Sequence, residues 1–317
     1  MAKKQIVNLH QTLKLKNMNP PVIIFAYNRP QHLKRLVESL STNEECRDTD
    51  LIIYADGAKT PGDKDVEEVK STIQKINGFK SVTPIFRPKN MGLASNIIDG
   101  VSKTIHEFGT AVVLEDDLVA TPHLMRYMKQ ALDHYKDSDI FSIAAYTPQV
   151  TLPDGYAYDT YPMMRNCSWG WATWSDRWDM VDWDVKDFDT FFADDTAVKD
   201  FNKTGNDLST MLLKQRQGII QSWSIRFCYA AFRLQKPTIY PVRSLVTNGG
   251  ADGSGTNVGK TSKYNTATFE GLEEIRFCDD KEPAPQTLQS FRRTYDTSLQ
   301  RRIINYIKRT AWLARHK

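Results

Sequence analysis

Four times in the first part of the chain, an apolar run of strand length is followed by a stretch with helical spacing, and nothing else in the sequence narrows the fold as much. Pro21–Tyr27 (PVIIFAY) breaks at Asn28-Arg29-Pro30, where Pro30 suits the first turn of a helix carrying Leu33, Leu36, Val37 and Leu40 on one face. Leu51–Ala55 (LIIYA) runs into Asp56-Gly57, and a helical pattern of Val66, Val69, Ile73 and Ile76 follows. Val82–Phe86 ends at Arg87-Pro88 ahead of a helix over Gly92–Phe108. Thr110–Ala120 (TAVVLEDDLVA) precedes a helix expected to open at Thr121-Pro122, a cap followed by proline. Strand-then-helix units in series predict an α/β fold with a mostly parallel sheet, helices on both faces, and ligands beyond the carboxyl ends of the strands. Those ends gather Asn28-Arg29, Asp56-Gly57, Arg87–Asn90 and the acids Glu115, Asp116 and Asp117.

The three acids are the sharpest chemical signal. They end an apolar run (Ala111, Val112, Val113, Leu114) and are followed at once by Leu118 and Val119. Carboxylates in an apolar frame must find a cation or change their protonation. Hard oxygen ligands at a strand end suit Mg²⁺ or Mn²⁺, completed by water and phosphate oxygens, and an arginine plus a divalent cation suits a diphosphate. A solvated acidic turn is the alternative.

Composition sets limits. The 317 residues, 40% hydrophobic and 25% charged, fit a globular protein with a sizeable core, and a net charge of +4 is too small to indicate nucleic acid. Cys46, Cys167, Cys228 and Cys278 lie far apart, so neither a zinc site nor a disulfide framework is expected, and a reducing cytoplasm is the simplest home. The polar, basic stretch 1–19 has no apolar signal core, and no 18-residue apolar run follows, so neither secretion by that route nor a membrane span is expected.

After a fifth strand at Phe141–Ala145 the pattern changes. Tyr156, Tyr158 and Tyr161 lead into Cys167-Ser168-Trp169-Gly170-Trp171-Ala172-Thr173-Trp174, with Trp178 and Trp183 beyond. Such rings serve either as platforms for sugar rings or as a hydrophobic cap over the sheet. Residues 207–234 read as two helices, and Ser244–Lys260 as a glycine-rich lid that fits neither a P-loop nor a Rossmann opening. The tail, Ser298–Lys317, has no acid; Leu299, Ile303, Tyr306, Ile307, Thr310 and Leu313 share one helical face and Arg301, Arg302, Lys308, Arg309 and Arg315 the other. That pattern predicts a helix lying on an anionic membrane surface, a helix docked on the domain being the alternative.

Together PPVIIFAYNRP, the ADG after strand two, NMGLASN, VVLEDDLVATPHLMRYM and SWGWATW resemble glycosyltransferases of the GT-A fold, in particular the N-acetylglucosaminyltransferase I type branch and its bacterial relatives of surface-polysaccharide synthesis. The resemblance covers about residues 20–260: a nucleotide-sugar half over 20–145, an acceptor half and lid over 146–260, and a C-terminal extension over 261–317 outside it. It implies a metal-dependent, inverting transferase moving a sugar from a nucleotide donor, UDP first among them, to a lipid-linked or surface glycan; the basic tail adds the expectation of a place at the inner face of the cytoplasmic membrane. Asp117 would hold Mn²⁺ or Mg²⁺, with Glu115 and Asp116 reaching donor hydroxyls and water. Tyr27, Asn28, Arg29, Asp56, Leu93 and Asn96 would bind the nucleotide sugar, and Trp169, Gly170 and Trp171 would wall the acceptor site. Where the bacterial relatives carry an acid as base, this chain has Gln221, which leaves Asp207 as the substitute; Ala251 and Asn257 stand where histidines would complete the metal shell, with Asp252 nearby. Two other readings remain: a non-catalytic glycan-binding or scaffold protein, which Gln221 favours, and a sugar nucleotidyltransferase, disfavoured because FAYNRP lacks a glycine-rich basic loop.

Overall fold

Every residue of β1 (Val22–Ala26) is buried, and its side chains divide between two cores: Val22, Ile24 and Ala26 face one, Ile23 and Phe25 the other. A strand with no polar face needs helices on both sides of its sheet. The computed structural model supplies them; it describes residues 19–252, 264, 266–269, 271 and 274–315, the side chains of 251 and 252 excepted. α1 (Pro30–Leu40) buries Leu33, Leu36, Val37 and Leu40 in the first core. β2 (Asp50–Ala55) splits as β1 does, Leu51 and Ile53 against Ile52 and Tyr54. α2 (Lys64–Ile73) is capped by Asp63, whose carboxylate accepts from the Asp65 and Val66 N–H groups. β3 (Ser81–Phe86) is the edge strand, mostly exposed, where Pro84 is tolerated. α3 (Leu93–Phe108) lays Ala94, Ile97, Val101 and Ile105 on the second core and stops at Gly109, left-handed at φ 82°.

β4 (Thr110–Glu115) and β5 (Leu118–Ala120) flank the acidic turn, and α4 (Leu124–His134) follows. The expected helix start at Thr121-Pro122 is corrected to Leu124, with His123 in the cap position. The reason is that the Thr121 N–H still donates to Leu245 O at 2.8 Å, prolonging the β5 pairing by one residue.

The rest of the chain adds β6 (Ser142–Ala144), β7 (Thr160–Met163), β8 (Trp171–Trp174), the short helices α5 (Ser175–Trp178), α6 (Phe188–Ala193) and α7 (Asp195–Phe201), then α8 (Leu208–Arg216), α9 (Trp223–Leu234), β9 (Thr238–Pro241), β10 (Val246–Asn248), α10 (Pro285–Tyr295) and α11 (Leu299–Arg315). The eight-stranded sheet has the order β3-β2-β1-β4-β8-β6-β9-β7, and β5 pairs with β10 in a separate ribbon. β1 to β4 are parallel; β6 and β9 run the same way, while β8 and β7 are reversed. The predicted mostly parallel sheet with helices on both faces, and helices C-terminal to it, is what forms.

A third, aromatic core under α6 to α9 holds Phe188, Phe191, Phe192, Phe201 and Tyr229, and Trp312 and Leu313 of α11 pack against it. Arg309 fastens α11 further, donating to Phe192 O from Nη2 at 2.7 Å and from Nε at 3.1 Å, and pairing with Asp195. The tail helix therefore docks by its Arg309–Trp312 side and leaves Leu299, Ile303, Ile304, Tyr306 and Ile307 exposed. Among the described residues no helix is long and apolar enough to cross a membrane. All four cysteines are buried and unpaired.

Candidate active site

Beyond the carboxyl ends of β1, β2 and β4 lies a cleft of about 790 Å³, lined on one side by Tyr27, Asn28, Arg29, Asp56, Leu93, Asn96 and the three acids, and on the other by Arg165, Trp169, Asp207, Gln221 and Tyr295. All of the expected donor-side residues therefore meet in one place, although they come from loops up to 90 residues apart.

The acidic turn is pinned from outside the main sheet. β10 holds β5 in antiparallel register, and the Gly249 N–H donates to Asp117 O at 2.7 Å. Arg29, fixed beside Pro30 at the start of α1, pairs with Asp116 Oδ1 through Nη2 and with Asp117 Oδ2 through Nη1 at 3.1 Å. Burial opposes the guanidinium's charge, but Asp116 and Asp117 outweigh it and hold Arg29 above its ordinary value. Among the described residues half-buried Glu115 has no such ion pair: the apolar surroundings, then Asp117 and Asp116, push its carboxyl up to about 8. At neutral pH Glu115 thus carries its proton while Arg29 faces the other two acids. The expected role of Arg29 at a diphosphate and its observed pairing with the acids compete for one guanidinium.

Among the described residues Asp117 Oδ1 is buried without a hydrogen-bond partner, and Gly250 leaves space beside Oδ2, where an added Cβ would sit 3.0 Å away. An orphaned carboxylate oxygen is the kind of hard ligand that Mn²⁺ or Mg²⁺ takes. Among the described residues no three acidic, histidine or cysteine side chains converge as a ready-made metal cage. The arrangement is of the kind in which one or two carboxylates hold a cation whose other ligands come from water and phosphate.

Asp56 is fully engaged in shaping the floor. Its Oδ1 accepts from the N–H groups of Gly57 at 3.0 Å and Met91 at 2.8 Å, and its Oδ2 from Gly92 N–H at 3.1 Å. Gly57 is required there, because a Cβ would lie 2.3 Å from Lys89 C. Asn96 accepts from Arg87 Nε at 2.9 Å, and Leu93, 44% exposed, forms the rim.

The opposite wall differs from expectation. Trp169 lines the cleft, its ring edge-on to Tyr146 at 4.7 Å and to Tyr264 at 5.2 Å. Trp171 and Gly170 do not belong to that wall, and their expected acceptor role is corrected. Trp171 is 1% exposed and stacks on Trp223 at 4.8 Å and Trp178 at 5.8 Å, because β8 runs between β4 and β6 and has a core on each face. Gly170, at φ 70°, is there for packing: a Cβ would meet Ala145 Cβ at 2.8 Å.

Asp207 reaches the cleft with both oxygens engaged by Arg165, Nη1 to Oδ1 and Nη2 to Oδ2, each at 2.9 Å. Arg165 in turn lies 3.8 Å over the ring of Tyr295 from α10. Sequence reading missed Arg165 and Tyr295. A lone arginine within the otherwise uncharged run YPMMRNCSWGW was the available signal for the first; nothing marked the second, 130 residues away. Gln221 faces the donor-side loop, its Oε1 3.6 Å from where a Cβ on Gly92 would stand. Of the predicted lid, 253–260, with Asn257, lies outside the described residues, as do the side chains of Ala251 and Asp252 and residues 1–18 of the lead-in.

No curated protein matches the chain. Among solved structures it is similar to the mannosyltransferase PcManGT from Pyrobaculum calidifontis in complex with GDP-Man and Mn²⁺, at 11% identity over 51% of this chain and 46% of that one, TM-score 0.37. It is also similar to S. aureus TarS, at 10% identity over 74% and 37%, TM-score 0.43, and to the galactosyltransferase LgtC in complex with donor and acceptor sugar analogs, at 11% over 69% and 72%, TM-score 0.39. This chain spans less than half the length of the first two. The glycosyl transferase family 2 model matches residues 22–197, from β1 through the acidic turn to α7, more than half of the chain. The chain belongs to glycosyl transferase family 2, a glycosyltransferase as its motifs led us to expect.

Proposed function

We propose that the cleft transfers a sugar from a nucleotide donor, UDP-linked in the first instance, to a hydroxyl of a lipid-linked or surface glycan, with inversion and with the help of Mn²⁺ or Mg²⁺. The observation that carries the reading is the convergence of Asp117, with its unpartnered Oδ1, with Arg29 and the Asp56-shaped loop at the end of a parallel sheet. Asp117 would hold the cation, which when bound would neutralise charge on the departing diphosphate, and Asp116 would reach donor hydroxyls and water. Arg29 adds a guanidinium to the same charge, and the loop of Asn90–Asn96 cradles the nucleotide. Glu115 reaches the donor sugar's hydroxyls. Trp169 offers a ring face to the acceptor. Asp207 is the sole carboxylate on that wall among the described residues lining the cleft, and Arg165 fixes its plane while leaving each oxygen a lone pair for the acceptor hydroxyl's proton.

The tail helix rests on an anionic membrane surface at the inner face of the cytoplasmic membrane, its exposed Leu299–Ile307 stripe in the lipid boundary and Arg301, Arg302, Lys308 and Arg315 among the headgroups.

Isothermal titration with UDP, with and without Mn²⁺, followed by UDP-sugar hydrolysis by wild type and Asp117→Ala, tests the reading. Metal-dependent binding and hydrolysis that Asp117→Ala abolishes are expected; no metal-dependent heat at millimolar nucleotide refutes it. A second reading, a glycan binder without turnover, is favoured by Gln221 and by the Arg165 clamp on Asp207. Binding of UDP without hydrolysis or transfer of any UDP-sugar selects it.

A further inference from the structure

The acidic turn already has a cation. Arg29 reaches across from the end of β1 and holds one oxygen of Asp116 and one of Asp117, and it is the only Lys or Arg bonded to either acid among the described residues. Two features make this more than a fixed structural pair. The contact to Asp117 uses Oδ2 and leaves the buried Oδ1 without a partner among the described residues, so Arg29 does not saturate the cluster. The Arg29 side chain is 23% exposed at the cleft while those of Asp116 and Asp117 are 3% and 13% exposed, so of the three groups the guanidinium lies most open to the cleft. Its backbone is held beside Pro30 and makes no side-chain cap bond to α1, so nothing in the helix depends on where the guanidinium points.

A divalent ion at Asp117 and a guanidinium at the same carboxylates repel each other unless negative charge lies between them. The diphosphate of a nucleotide donor is such a charge, and guanidinium forks bind phosphate well. We propose that Arg29 is the resident counter-ion of Asp116 and Asp117, displaced by the divalent cation and then taken up by the donor's diphosphate, so that cation and donor bind better together than apart. This rests on the metal-dependent reading above and adds to it an order of preference: the cation alone binds poorly because it must evict Arg29. A plain phosphate-binding arginine predicts weaker nucleotide binding on its removal with cation affinity unchanged; a structural ion pair predicts lost stability and nothing else.

The test is Mn²⁺ binding without nucleotide, followed by isothermal titration and by electron paramagnetic resonance of the free ion, for wild type, Arg29→Met and Arg29→Lys. Arg29→Met is expected to bind Mn²⁺ about tenfold more tightly than wild type, a coupling in the ordinary range. UDP in the presence of Mn²⁺ should bind it more weakly, and the gain in Mn²⁺ affinity that UDP produces in wild type should shrink. Arg29→Lys, a point charge that cannot span both carboxylates, falls between the two and serves alone if Arg29→Met does not fold. Mn²⁺ affinity in the variants equal to or below wild type overturns this inference and leaves the metal-dependent reading standing. Failure of both wild type and variants to bind Mn²⁺ at millimolar concentration even with UDP present overturns both.

Discussion

Asp56 separates two roles that one residue at a strand end can have. By family resemblance it touches the nucleotide; in the structure its two oxygens accept three backbone N–H bonds from Gly57, Met91 and Gly92. In Asp56→Asn the amide oxygen, placed at Oδ1, keeps the Gly57 and Met91 bonds, while the NH₂ group is turned toward the Gly92 N–H. One charge-assisted bond is lost and a donor faces a donor, which costs about 2 kcal/mol. Asp56→Ala orphans all three donors at a site only 5% exposed, and water can restore few of them, so a loss of about 4 kcal/mol follows. Urea unfolding monitored by tryptophan fluorescence gives both values, and titration with UDP gives the affinity of each variant. The expected order of stability is wild type, then Asn, then Ala, with nucleotide affinity falling in step because Asn90 lies on that loop and Leu93 and Asn96 in the first turn of α3, which the loop leads into. An Asp56→Asn protein as stable as wild type but unable to bind UDP refutes the loop-support argument and leaves direct contact as the residue's whole role.

Trp169 and Trp171 should part company. Trp171→Ala opens a cavity in the second core and costs about 3–5 kcal/mol in urea unfolding, whereas Trp169→Ala, at the part-exposed cleft wall, costs under half of that and is felt in glycan binding; equal losses contradict the assignment. Glu115 makes the fold pH-sensitive. Its carboxyl rises from 4.5 unfolded to about 8 folded, so between those values the folded protein keeps a proton that the unfolded chain releases. Its contribution to stability is complete below pH 4.5 and is lost as pH rises to 8, by no more than about 1.4 kcal/mol per unit. Glu115→Gln, compared with wild type by urea unfolding at pH 5.5 and 7.5, should gain on it at the higher pH; parallel pH profiles contradict the shift.

The strand ends were legible because each signal there is local. An apolar run, a break and a helix start lie within a dozen residues, so Arg29, Asp56 and the acids could be placed at one sheet edge before any coordinate was known. What was not legible depends on position within the sheet. In Trp171–Trp174 the side chains alternate between faces, and a reading of WGWATW must decide whether either face is open. β8 lies between β4 and β6, so neither is: Trp171 enters the second core and Trp174 the first, its indole N–H donating to Leu132 O at 3.2 Å. The tail has the same ambiguity in helical form. The wheel separated apolar from basic residues but could not show that Arg309 and Trp312, not the Leu299–Ile307 stripe, are the side that docks.

The cleft therefore has two walls of different origin. The strand-end wall, with Arg29, Asp56 and the acids, lies wholly within the matched residues 22–197, and its bonds run mainly between carboxylates and a guanidinium or backbone N–H groups. The facing wall takes Arg165 and Trp169 from the matched region but Asp207, Gln221 and Tyr295 from beyond it. The extension is built into that wall. Asn206 N–H donates to Asp296 Oδ1 at 3.0 Å, and Asn206 Oδ1 accepts from Thr297 N–H at 2.9 Å and from its hydroxyl at 2.7 Å. Gly205 has room for nothing larger, since a Cβ would meet Arg165 Nη1, Asp207 Oδ1 and Tyr295 Cβ each at 2.7 Å. The extension thus supplies the ring of Tyr295 under Arg165, which in turn holds the carboxylate of Asp207 from both oxygens.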